Sequence, residues 1–195
     1  NGEKIFDKVI ELVEYARNEI NALGDYYAYS RELIDGDSIF DFDITKLSVF
    51  TRPTGLAGIE VYDLLRDEYD IQAEFGDIAN ILAYVSVGDR LKDIERLVAA
   101  LGEIRRNYRK DPSKMLKAEY IEPIVELPPQ DAFYSEKISK PIDERIIGEV
   151  AAEFVMCYPP GIPIIAPGEK FTREILNYIR FAKKKGCQMT GPEDM

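Results

Sequence analysis

Histidine is absent from the 195 residues, and cysteine occurs only twice, at Cys157 and Cys187. Without an imidazole there is no Ser-His or Cys-His nucleophile pair and no histidine-based metal site. Two cysteines are too few for a structural zinc or a disulfide scaffold, and they fit a reducing, cytoplasmic compartment. No apolar run approaches the roughly 18 to 20 residues that cross a bilayer, so no segment reads as a membrane span. The first residues open directly into a helical pattern without the apolar core of a signal peptide. No glycine-rich loop of dinucleotide- or phosphate-binding spacing occurs. Basic residues are outnumbered: 25 Lys and Arg stand against 36 Asp and Glu, a net charge of −11. That balance argues against nucleic acid as a partner and favours cationic ligands such as basic amino acids or polyamines. The chain therefore carries no self-sufficient catalytic constellation.

What is present is an ordinary globular composition, 46% hydrophobic and 31% charged, with clear periodicities. Ile5, Val9, Leu12, Val13, Ala16 and Ile20 recur at helical spacing over 4–22, with Gly24 just past the end. Strands are expected at 26–29, 46–50, 71–74 and 81–87. A helix is expected over 56–68 with Thr54 at its N-cap, and another over 90–107 capped by Gly88 and Asp89. This order implies an α+β fold: a small antiparallel sheet covered by helices, followed by a smaller α+β domain. The basic stretch Arg105-Arg106 to Lys114, broken at Pro112, reads as a solvated linker.

The second domain is expected to hold a short helix from Pro128-Pro129, strands at 146–157 and 162–166, and a helix over 173–185 capped by Thr172. Lys183, Lys184 and Lys185 would complement the helix dipole. Its most informative stretch is Glu153-Phe-Val-Met-Cys-Tyr-Pro-Pro-Gly-Ile-Pro-Ile-Ile-Ala-Pro-Gly-Glu169. Prolines fix φ and remove amide donors, so the run is a stiff, shaped connector rather than a flexible linker. Cys157 within it reads as a small buried apolar residue. Glu169 sits just before a helix, where a carboxylate is favoured by the dipole alone. Tyr26, Tyr27 and Tyr29 read as packing at a domain contact.

That run, with Gly191-Pro-Glu-Asp194, resembles the C-terminal part of the bacterial Orn/Lys/Arg decarboxylases. The stretches Gly55-Leu-Ala-Gly-Ile-Glu-Val61, Asp70-Ile-Gln-Ala-Glu-Phe-Gly-Asp-Ile-Ala-Asn-Ile-Leu82 and Asp131-Ala-Phe-Tyr134 add to the likeness, which is nearest the short arginine-decarboxylase branch. The resemblance implies a fold-type-I enzyme using pyridoxal 5'-phosphate (PLP), whose cofactor is the electron sink for the carbanion left by loss of CO₂. It implies a helix leaving a missing large domain at 1–24, a small domain at 25–108, a linker at 109–126 and a C-terminal domain at 127–195. It also implies arginine decarboxylation to agmatine in polyamine synthesis, a homo-oligomer, and the PLP-binding large domain as partner. The family's cofactor lysine lies in a Ser-x-His-Lys motif, which this histidine-free chain lacks. No catalytic or cofactor-binding residue is therefore expected here, and the chain alone is expected to be inactive.

By the same resemblance Glu74 reaches toward the amine or guanidinium of a basic substrate. A carboxylate accepts the planar donor fork of a guanidinium well. Asp77, three residues on, is a candidate second substrate-binding carboxylate. Read from the residues alone, Glu74 is equally an exposed strand-end carboxylate, and Asp77 after Gly76 is a turn former. An alternative function stays open: a non-enzymatic module that senses an amino acid or polyamine at Glu74.

Overall fold

The computed structural model describes residues 2–116 and 120–192. Residues 117–119 of the stretch expected to be a linker, and Glu193 and Asp194 of the resembling C-terminal motif, lie outside them. The chain separates between Met115 and Leu116 into two units.

The first unit is built from α1 (Gly2–Ala22), β1 (Tyr27–Ala28), β2 (Lys46–Phe50), α2 (Gly58–Tyr69), β3 (Phe75–Gly76), β4 (Asn80–Tyr84) and α3 (Leu91–Tyr108). The strands form one antiparallel sheet in the order β1-β2-β4-β3. Alternation decides which face is covered. Leu47 lies opposite Ala83 and Val49 opposite Ile81. With Ala28 these residues are buried in one cluster with Val13 and Ile20 of α1, Val61 and Leu65 of α2, and Leu97 and Leu101 of α3. The opposite face, with Tyr27, Ser48, Phe50, Asn80, Leu82 and Tyr84, is partly or fully exposed.

Several boundaries differ from those expected, for local reasons. The strand expected at 71–74 is displaced to Phe75–Gly76, because pairing with β4 sets it; Ala73 contributes only its burial. The strand expected to run to Val87 stops at Tyr84, where the Ser86 amide donates to the Asp89 carboxylate at 2.5 Å and turns the chain. Asp89 is thus not the cap of α3; the Asp93 carboxylate takes the Arg90 amide at 3.0 Å. Thr54 is not the N-cap of α2. It is fully buried in a 3-10 turn, Arg52–Thr54, with its hydroxyl donating to the Thr51 carbonyl at 2.6 Å. The first turn of α2 is closed by Glu60, which accepts the Ala57 amide at 2.8 Å.

The second unit contains α4 (Pro129–Tyr134), β5 (Val155–Tyr158), β6 (Ile162–Ile165), α5 (Arg173–Lys184) and β7 (Gln188–Thr190). Its sheet is antiparallel in the order β6-β5-β7. The proline-rich run is a β-hairpin: β5 and β6 pair across Pro159-Pro160-Gly161, and the Gly161 amide donates to the Cys157 carbonyl at 2.9 Å. At Gly168, φ is +92° and a Cβ would stand 2.1 Å from the Leu127 carbonyl oxygen, so no side chain fits. The strand expected over 146–157 begins only at Val155. Upstream of it Glu144–Ile146 is a 3-10 turn and Val150 makes an isolated bridge to Lys170. The sequence reading had no counterpart for β7, whose three residues are strand only because β5 lies beside them. Thr172 caps α5 as expected, accepting the Ile175 amide at 3.2 Å.

Among the described residues no helix is long and apolar enough to cross a membrane.

Candidate functional site

The β3–β4 hairpin places Glu74 and Asp77 at opposite ends of a short strand. Asp77 makes the turn. Its Oδ1 accepts the amides of Ala79 at 2.7 Å and Asn80 at 2.6 Å, and its own amide donates to the Asn80 carbonyl at 2.9 Å. The turn rests on the segment before α2. The Ile59 amide donates to the Asp77 carbonyl at 2.8 Å, and the Thr51 amide and hydroxyl donate to the Ala79 carbonyl at 2.9 and 3.1 Å. Such close approach requires glycine on both sides. A Cβ on Gly58 would lie 1.8 Å from the Asn80 carbonyl oxygen, and one on Gly76 would lie 2.5 Å from that of Gly58.

Glu74 differs in kind. Its amide donates to the Leu82 carbonyl at 2.8 Å, which holds the backbone at the end of the ladder. Its side chain is exposed and forms no hydrogen bond or ion pair with the described residues. The structure thus does not join the two candidate carboxylates into one cluster: Asp77 is spent on the turn and Glu74 stays available.

Next to the turn the open face carries groups that sequence reasoning did not assign to the site. Tyr29 donates its hydroxyl to Asn80 Oδ1 at 3.1 Å. Its ring packs edge-on against Tyr27, with centroids 5.2 Å apart, and tilted against Phe50 at 6.5 Å. The Arg52 guanidinium lies over Phe50 at 5.9 Å. Burial, and then the negative charge of Asp77, raise the Tyr29 phenol above its ordinary pKa. The neighbouring Tyr26 has a different fate from that expected. It is buried in the core of the first unit, with its hydroxyl on the Leu101 carbonyl at 3.2 Å.

Arg17 orders this face from behind. It is buried in α1, and its guanidinium donates to the carbonyls of Tyr29 at 2.8 Å, Ile44 at 2.6 Å and Lys46 at 3.0 Å, and to Glu14 at 2.9 Å. One residue thereby satisfies three carbonyls of the β1–β2 connection. A signal existed in the sequence: Arg17 falls four residues after Val13 and three before Ile20, on the apolar stripe where a charge needs partners.

The second unit uses its charges differently. Glu144 accepts from Arg173 at 2.9 Å and Arg180 at 2.8 Å, and is held below the ordinary carboxylate pKa by both, Arg180 first. Glu169 Oε2 accepts the Ala166 amide at 3.0 Å. These groups close the fold rather than offer a site. Cys157 is buried, as expected of a small apolar residue.

The described residues do not fit covalent attachment of pyridoxal phosphate. An imine-forming lysine works when burial strips its proton, yet no described lysine is buried, and the buried charged or polar side chains are Arg17, Thr51 and Thr54.

Residues 114–194 match the family model for the C-terminal domain of Orn/Lys/Arg decarboxylases. Over its whole length the chain is 38% identical to an arginine decarboxylase of Bacillus anthracis, and over 99% of its length 34% identical to one of Bacillus subtilis. It spans 40% of the length of each of these relatives. A lysine decarboxylase structure from Francisella novicida superposes on all of the chain with a TM-score of 0.69 at 20% identity, using 39% of that protein. Lysine decarboxylase A of Pseudomonas aeruginosa superposes on 94% of the chain with a TM-score of 0.63, also at 20% identity. At such identities the superpositions establish the fold alone.

Proposed function

We propose that this chain is the C-terminal part of an Orn/Lys/Arg decarboxylase, and that it supplies substrate recognition to the decarboxylation of a basic amino acid. Arginine is the substrate we assign, with agmatine as product, because the relatives at 34–38% identity over the chain are named arginine decarboxylases. Pyridoxal phosphate would supply the electron sink for loss of CO₂ and is held by a part of the enzyme outside this chain. A homo-oligomer working in the cytoplasm and serving polyamine synthesis belongs to the same proposal.

The observation that carries the reading is the state of Glu74. It is an exposed carboxylate without a partner among the described residues, on a hairpin fixed by Asp77, Thr51 and Ile59. Its role is to accept the two parallel donors of the guanidinium and hold the far end of the substrate. Asp77 adds its negative charge nearby while its oxygens stay on the turn. Both favour a ligand that is positive at that end.

In an arginine decarboxylase carrying this segment, Glu74→Gln is expected to lower kcat/KM for arginine about a hundredfold, since a charge-assisted pair contributes about 3 kcal/mol. Unchanged kcat/KM overturns the assignment. The isolated chain should release no CO₂ from arginine.

A further inference from the structure

We propose that Tyr29 is a positioning residue for the hairpin that carries Glu74: its hydroxyl reaches across β2 and pins the β3–β4 turn through Asn80. The proposal rests on the reading of Glu74 given above. Tyr29 continues β1, and its backbone is fixed on two sides. Its amide donates to the Ser48 carbonyl at 3.0 Å, and its carbonyl accepts Arg17 Nε at 2.8 Å. Its ring is held between Tyr27 and Phe50. With both ends set, the hydroxyl is delivered to Asn80 Oδ1 at 3.1 Å.

Asn80 passes that constraint on. Its backbone amide donates to Asp77 Oδ1 at 2.6 Å, and its Nδ2 faces the same carboxylate at 3.4 Å. Since β1 and β4 flank β2 on opposite sides, this side-chain bond ties the first strand of the sheet directly to the turn beyond the middle strand. The hairpin needs such a tie. β3 pairs with β4 through only Phe75 and Gly76, a ladder short enough to open locally. The Thr51 and Ile59 contacts hold the turn by its backbone, whereas Tyr29 holds it through a side chain on the open face. Displacement of a binding carboxylate by a fraction of an ångström weakens a bidentate contact steeply.

Tyr29→Phe removes one oxygen and keeps the ring packing. In amide hydrogen exchange on the chain, the Glu74, Asp77 and Asn80 amides should exchange about tenfold faster, while the Leu101 amide in α3 keeps its rate. In an arginine decarboxylase carrying this segment, kcat/KM for arginine should fall about fivefold, through KM rather than kcat. Asn80→Ala should cause the same loss, and adding Tyr29→Phe to it should cost less than a further twofold, a non-additivity that a merely structural tyrosine would not show. Unchanged exchange at the three amides overturns the proposal whatever the activity, as do losses from the two variants that multiply. If Glu74→Gln leaves kcat/KM untouched, the underlying reading falls instead, and positioning of Glu74 falls with it. A loss from Glu74→Gln without one from Tyr29→Phe removes only the role of Tyr29.

Discussion

Glu74 of the first unit and several acids of the second meet opposite fates. In the second, Glu144 spans Arg173 and Arg180, Glu149 pairs with Lys140 at 2.6 Å, and Glu153 pairs with Lys137 at 3.6 Å. These acids tie short elements together, with only a small sheet to support them. The first unit has a four-stranded sheet under three helices and ties of its own, such as Asp25 to Arg105 and Glu60 to Lys110, both at 2.7 Å, while Glu74 is left without a partner among the described residues. A carboxylate answered within its own unit is structural; one held still and left unanswered is available to a cationic ligand. The sole buried charge among the described residues, Arg17, belongs to the first class, because every one of its partners is supplied locally.

That contrast is most easily broken at Arg17. Arg17→Met keeps the bulk but strands the Tyr29, Ile44 and Lys46 carbonyls, and urea denaturation should show a loss of about 4 kcal/mol. A loss below about 1 kcal/mol would mean that water replaces the guanidinium and that the β1–β2 connection is not anchored by it.

A smaller effect is expected in the second unit. Thr172→Ala removes the cap of α5 and should cost about 1 kcal/mol, with Thr172→Ser restoring most of it.

Acid should also act on the second unit through Asp143, which hydrogen bonds from Arg145 hold at about 2. Its native pKa lies below the unfolded value, so its contribution is present above the ordinary carboxylate range and is lost as pH falls from about 4 to about 2. Asp143→Asn should therefore flatten the fall of the thermal midpoint across that window, and an unaltered slope would count against the assignment.

The smallest change is expected at Glu74. Glu74→Gln should leave stability unchanged within about 0.5 kcal/mol, while Glu144→Gln lowers it measurably. Equal destabilisation by the two would erase the distinction between a free and a structural carboxylate.

Much of the helical content was legible. α1, α3 and α5 announce themselves by apolar residues at three- and four-residue spacing, and Thr172 by its position before such a stripe. Short strands were less so. Val150 looks as strand-like as Val155, yet only the latter finds a ladder, while Gln188–Thr190 has too few residues to show any period. Thr54 had the right residue type for a cap, but the preceding Pro53 and the left-handed Gly55 draw it into a 3-10 turn. Glu74 became a candidate through resemblance, not through any local pattern. Tyr29 and Asn80 stand 51 positions apart in the chain and nothing in their neighbourhoods links them.

The sequence by itself determined the α+β class, the positions of the long helices, the stiffness of the proline-rich hairpin and the absence of a histidine-dependent centre. Each of these follows from side-chain period or from residue type, which act over a few neighbours. Only the tertiary structure decided that β1, β2 and β4 lie side by side in that order, that Asp77 is consumed by its turn while Glu74 is not, and that the Tyr29 hydroxyl reaches Asn80 across β2. Those outcomes depend on register between distant strands, and register is set by which face must be buried against the helices.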